Sequence, residues 1–264
     1  MLWMRRAALV VSFVVSLSSC ATPPIQETKA FVSAVNTAKS AADTLVDEVN
    51  AAEKTRYARL HAKDPVFDIK NAYYIATISE TPGAQKYRSG LIVLQDYANI
   101  LQSLVDGSGI DAVHTQAQTL AANISAIAGA PQVAAVAQSL LPVLDRLIAA
   151  ANVAEARQIA VGGAKDVHNL LTALRNGAPA IYEYLTLDLV RAHQPEKLQE
   201  YRVAVANYVV LIDELDATFS QLVIAFDRPS NPVTLAALVD ASAQLKADVS
   251  AARQSLAALR RTGI

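Results

Sequence analysis

Cysteine is almost missing from this chain: Cys20 stands alone among 264 residues. A lone cysteine rules out an internal disulfide, so the fold rests on packing alone. Glycine is sparse, with 9 residues, while alanine is abundant, a balance that favours helix. No run alternates apolar and polar residues over several positions, so no sheet is expected. No stretch rich in proline, glycine and serine divides the chain, and no block of one charge marks a disordered tail. A basic surface is lacking too. The formal net charge is −1, and it becomes about −3 if the first 19 residues, with Arg5 and Arg6, are removed. Nucleic acid needs a basic footprint, so it is excluded as a partner. The single tryptophan, Trp3, lies in the same N-terminal stretch.

That stretch has its own layout. Arg5 and Arg6 precede an apolar run from Ala7 to Leu17 that is broken only by serines. A basic stub followed by an apolar run of roughly 7–15 residues is the plan of a secretory signal. It falls short of the roughly 20 residues that a membrane span needs. Leu17-Ser18-Ser19-Cys20 follows at once: an aliphatic residue, two small residues, then cysteine. The motif resembles the lipobox of bacterial lipoproteins. The resemblance implies cleavage before Cys20, a lipid on the Cys20 thiol and residence in the bacterial envelope. In a Gram-negative host, Ala21 after the cysteine implies the periplasmic side of the outer membrane. Acyl chains contribute about 0.8 kcal/mol per buried methylene, so two or three of them anchor durably. Residues 21–26 form a short tether stiffened by Pro23-Pro24, reaching at most roughly 20 Å.

Residues 27–264 read as a single helical domain: an all-α, elongated antiparallel bundle with coiled-coil-like seams. Apolar or small residues recur in steps of three and four. Phe31, Val35, Ala38, Ala42, Leu45 and Val49 mark helix one, from Glu27 to His61. Tyr87, Gly90, Leu94, Tyr97, Leu101 and Leu104 mark a helix from Ala84 to Asp106, and Val113, Ala117, Leu120 and Ile124 mark the next. A further series runs from Val133 to Ala154. Another runs from Leu198 through Tyr201, Val205, Tyr208 and Phe219 to Phe226, and the last from Leu238 to Leu259. Such stripes face partner helices. Thr81-Pro82, Asp64-Pro65 and Asn231-Pro232 predict helix starts. Asp106-Gly107-Ser108-Gly109, Ala128-Gly129 and Asn176-Gly177 predict stops. Pro142 predicts a kink or a division, and Gly162-Gly163 a weak point. Helix one and the last helix, both lined by alanine, are expected side by side.

Chemistry is hard to find. The four histidines are dispersed, and Asp111-x-x-His114 is a poor match to a di-iron bundle, which uses Glu-x-x-His twice. Gly107-Ser108-Gly109 lacks the form of a nucleophile elbow, and Gly162-Gly163-Ala164-Lys165 the spacing of a phosphate loop. Asp213, Glu214 and Asp216 read as a solvated helix flank. Arg56 and Arg157 read as the places where apolar stripes reach solvent. No catalytic residue, cofactor or metal site is expected. The candidates that remain are Cys20 for lipidation and the seam tyrosines Tyr87, Tyr97, Tyr201 and Tyr208. Buried phenols need hydrogen-bond partners, so these four either line an interhelical ligand pocket or pack as core with hydroxyls directed to its rim.

Three functions compete. The leading one is a membrane-anchored periplasmic lipoprotein acting by contact with an envelope protein, as an adaptor, a structural element or an immunity protein. The alternative is a ligand-binding or sensory bundle, and the third is an enzyme of unreadable kind. Metabolic labelling with palmitate is expected to mark the natural chain and to fail on Cys20→Ala.

Overall fold

A stripe of alanine and branched aliphatic residues cannot stay helical in water without a partner face. The chain resolves this by building around one long helix. In the computed structural model, residues 24–127, 131–191 and 194–227 and parts of 236–254 are described. α1 runs unbroken from Ile25 to Leu60. Its 36 residues span about 54 Å at 1.5 Å each. Phe31, Val35, Ala38, Ala42, Leu45 and Val49, the stripe read from sequence, are all buried. α1 begins two residues earlier than expected, and the Thr28 hydroxyl donates to the Pro24 carbonyl at 2.7 Å.

A single 3-10 turn, Ile69–Asn71, and the four-residue α2, Ala72–Ile75, follow α1. α3 is Pro82–Ser103 and α4 is Ile110–Ala126. Shorter helices come next: α5 Pro131–Gln138, α6 Leu141–Ala149, α7 Val153–Gly162, α8 Ala164–Asn176 and α9 Ala178–Arg191. α10 is again long, Pro195–Asp227, and residues 236–254 are helical wherever they are described. The described residues form an all-α bundle and contain no strand.

α1 packs on α3 and α10, and both run antiparallel to it. Asn36 accepts from Gln95 at 2.6 Å, and nearer the other end Arg88 pairs with Asp43 at 2.9 Å and Asp47 at 2.6 Å. Glu80 is the third carboxylate on the same guanidinium. On the other side the rings of Phe31 and Phe219 lie 5.4 Å apart. Phe219 also meets Tyr97 of α3 and His168 of α8 edge-on, at 6.4 Å and 5.1 Å, so four helices share one aromatic node. α4 packs on α3 and α6, and α8 and α9 pack on α10.

Some of these expectations hold and others are corrected. Pro142 divides its helix: α5 ends at Gln138 and Pro142 sits in the first turn of α6. The stripe from Val133 does not continue to Ala154, which is exposed. Asn152 starts a new helix by accepting from the Glu155 N–H, and the Glu155 side chain accepts in turn from Ala151 N–H. This is a capping box shifted by one residue, and it resets the buried face to Ala156 and Ala160. Asp64-Pro65 starts no helix, because the residues after it carry no stripe to bury. Asp68 caps the 3-10 turn instead, accepting from Lys70 N–H at 2.9 Å. Thr81-Pro82 does open α3, but the Thr81 side chain makes no cap bond. Its N–H donates to Asn50 of α1 at 2.8 Å. Ala128-Gly129, Asn231-Pro232 and most of the last helix, with its expected place beside α1, lie outside the described residues. Val249 of that stretch is buried in the core.

The two glycines of the α7–α8 junction differ in the space around them. A Cβ on Gly163 would stand 2.8 Å from Val143 Cγ1 and 3.2 Å from the Tyr97 hydroxyl, whereas one on Gly162 would meet nothing within 4 Å. Thermal unfolding followed by circular dichroism is expected to show Gly163→Ala destabilised by about 1–3 kcal/mol. Gly162→Ala is expected to be neutral or more stable by up to about 1 kcal/mol.

Candidate functional site

The seam tyrosines sit where short helices end. The last carbonyls of a helix have no partner within it, and a buried helix end must find donors elsewhere. Tyr97 of α3 is buried, and its hydroxyl donates to the Ala160 carbonyl in the last turn of α7 at 2.5 Å. Two tyrosines converge on the end of α8. Tyr87 of α3 donates to the Gly177 carbonyl and Tyr208 of α10 to the Leu174 carbonyl, each at 3.1 Å. Gly177 is glycine because the Tyr87 ring lies against it: a Cβ there would stand 2.5 Å from Tyr87 Cε1. Tyr201 is the exception. It is half-buried near the start of α10, packed against the core margin. Three of the four hydroxyls are thus engaged with main-chain carbonyls, at two different helix ends.

Other residues singled out from sequence do the same work. His114 Nε2 lies 3.1 Å from the Ala150 carbonyl, which closes α6; the contact requires the Nε2–H tautomer. Arg157 does not mark an outlet to solvent. Its Nη2 donates to the Leu104 carbonyl at the end of α3, at 3.2 Å. Lys54 donates to the Ala76 and Ser79 carbonyls at 2.6 Å and 2.5 Å, closing α2. Neither arginine nor histidine could be assigned this role from sequence, since each partner lies at least 36 residues away.

The acidic trio on α10 also changes character. Asp213 pairs with Arg175 at 2.8 Å and Asp216 with His168 at 2.5 Å, so the flank ties α10 to α8. The two carboxylates face separate partners, a guanidinium and an imidazole, rather than each other across a cleft. Among the described residues no group of histidine, cysteine, aspartate and glutamate could hold a metal ion. No described helix is long and apolar enough to cross a membrane. Cys20 lies outside the described residues.

The surface carries what sequence reading missed. Among the described residues, large apolar side chains are exposed in two places only. One is the segment between α1 and α3, with Leu60, Val66, Phe67, Ile69, Tyr73, Ile75 and Ile78. The other is one line on α10, Val203, Val210 and Ile224, with exposed Ala217 completing a seven-residue spacing. The signal was present: Val203 and Val210 are apolar yet lie off the buried stripe. A cleft of about 650 Å³ adjoins this line, with Arg175, Pro179, Tyr182, Arg202 and Val209 among its walls. A second, of about 670 Å³, lies beside the first patch, against Tyr57, His61, Phe67 and Tyr74.

Comparison with protein-family models, with curated proteins and with solved structures returns no match. The reading of this chain therefore rests on its own residues.

Burial pushes the Tyr97 and Tyr208 phenols well above their ordinary value of 10.0, with Asp166 adding to the effect at Tyr97 and Tyr87 at Tyr208. The folded chain keeps these protons after the unfolded chain has released them. Their contribution is complete below the ordinary value and is lost as pH rises beyond it, by about 1.4 kcal/mol per pH unit for each phenol. The melting temperature is expected to fall steeply above pH 10.0. Tyr97→Phe and Tyr208→Phe are each expected to flatten that fall while costing about 1 kcal/mol at neutral pH.

Proposed function

We propose that the protein is a lipid-anchored component of the bacterial envelope that works by contact with another protein and not by catalysis. The observation that carries the contact reading is the exposed line Val203, Val210, Ala217 and Ile224 along α10. Its spacing matches the repeat with which one helix meets another, and apolar side chains held in line on a rigid helix suit a partner helix. α10 is ordered from behind by its buried stripe and by the Asp213–Arg175 and Asp216–His168 contacts to α8, so docking would cost little reorganisation.

The lipobox at Cys20 supports the anchor. α1 starts at Ile25, so four residues separate the lipid site from the central helix of the bundle. They reach at most roughly 14 Å, which keeps the bundle close to its bilayer. The outer membrane, facing the periplasm, is the location that Ala21 supports. The ligand-binding alternative draws no support from the four tyrosines, because the hydroxyls of Tyr87, Tyr97 and Tyr208 are bonded within the protein.

A photo-crosslinking amino acid at position 210, used in living cells, tests the reading. One dominant envelope protein is expected in the adduct, strongly reduced by Cys20→Ala and by Val203→Asp. As both valines are exposed, the substitutions are expected to change stability by no more than about 0.5 kcal/mol. Absence of any adduct, or a soluble chain without lipid, would overturn it.

A further inference from the structure

The segment between α1 and α3 is costly to leave in water. Ile78 is 98% exposed, Ile69 79%, Val66 77% and Phe67 65%, and only one 3-10 turn and one helical turn organise the stretch. These side chains form no flat face and no helical stripe. A protein partner would have to match an irregular surface, whereas a bilayer interface conforms to it. The charges point the same way. Lys63 and Lys70 are exposed among the apolar groups. The acids between them, Asp64 and Asp68, are exposed too but are engaged within the segment: Asp64 contacts His61 at 2.6 Å, and Asp68 accepts from Lys70 N–H and from Asn71 at 3.3 Å. Lysines are depleted from protein–protein cores but suit an anionic lipid surface, where each contributes about 1 kcal/mol and its stem can lie along the apolar layer.

We infer that Val66, Phe67, Ile69 and Ile78, with Lys63 and Lys70, form a membrane-contacting loop that inserts into an anionic lipid surface. The loop stands at the end of α1 away from Ile25, about 54 Å from the start of the helix. When Cys20 carries lipid, as proposed above, both ends of α1 meet the same bilayer only if the helix lies within about 20° of its plane. The bundle then rests on its side with its long helices along the membrane. The tether makes this second contact intramolecular, so a weak insertion suffices.

The test needs no lipid anchor. The mature chain from residue 20 lacks tryptophan, since the single one is Trp3. Phe67→Trp in a Cys20→Ala background therefore places one reporter in the loop. With vesicles of phosphatidylethanolamine and phosphatidylglycerol, its emission is expected to shift to the blue and to be quenched by lipids brominated on their acyl chains. Ile69→Asp and Ile78→Asp are each expected to weaken partition by about tenfold, and Lys63→Gln and Lys70→Gln by about fivefold, with unchanged circular dichroism. Emission that stays at its water value with vesicles present would overturn the inference. So would a blue shift without vesicles that grows with protein concentration, which marks pairing of two copies. So would a cellular crosslink from position 67 to a protein without any vesicle response. Because the assay omits the anchor and reads position 67 rather than the line on α10, its failure leaves the lipidation and docking readings standing, and theirs leaves it standing.

Discussion

A bundle made of two long helices and several short ones has many ends in its interior, and every buried end leaves carbonyls that water cannot reach. An unsatisfied group of this kind costs about 1–3 kcal/mol, a large share of the net stability of a domain. Here side chains from elsewhere in the chain donate to carbonyls at the ends of α2, α3, α6, α7 and α8: Lys54, Arg157, His114, Tyr97, and Tyr87 with Tyr208; the three carbonyls that the tyrosines meet also accept a backbone N–H, from Gly163, Gly177 and Ile181. These bonds are also the points at which α3 and α10 are fastened to the short helices. The same donors that satisfy the backbone thus set which helix end meets which long helix.

The constraint explains the placement of small residues. A phenol can reach a carbonyl at a helix end only if no side chain stands between them, so glycine occupies positions 163 and 177 against the Tyr97 and Tyr87 rings. Alanine along α1 has a related effect, letting α3 and α10 approach a 36-residue helix closely on two sides. Phe219 then joins α1, α3, α8 and α10 through ring contacts, so the aromatic residues, though few, sit where several elements meet.

Many polar residues of the described core are committed to helix ends and to pairs between helices, while buried oxygens of Glu53, Thr81 and Gln116 have no hydrogen-bond partner. The large apolar side chains left outward lie in two places. The line on α10 is held rigid, while the segment before α3 is irregular and interleaved with lysine. A rigid line suits a protein helix, and an irregular patch suits a fluid interface. With the lipid proposed on Cys20, these two surfaces would suit a molecule that works by being held in a place and an orientation.

Much of this was legible beforehand. The buried stripes of α1, α3, α4 and α10 follow from spacing alone, because a helix with one apolar face has one way to bury it. Gly107 and Gly109, with φ of 83° and 82°, stop a helix as their residue type foretold. The break at Asn152 was readable but hidden under an apolar series that ran past it. Asp64-Pro65 misled because a local start signal forms no helix without a face to pack. What Tyr97, Tyr208, His114 and Arg157 do was decided only by tertiary structure. A hydrogen bond between a side chain and a carbonyl dozens of residues away depends on where separate helices end in space, and no periodicity records that. The sequence by itself determined most of the buried stripes of the long helices, because spacing alone sets an apolar face; the assembled bundle decided where the short helices end and which polar group meets each end.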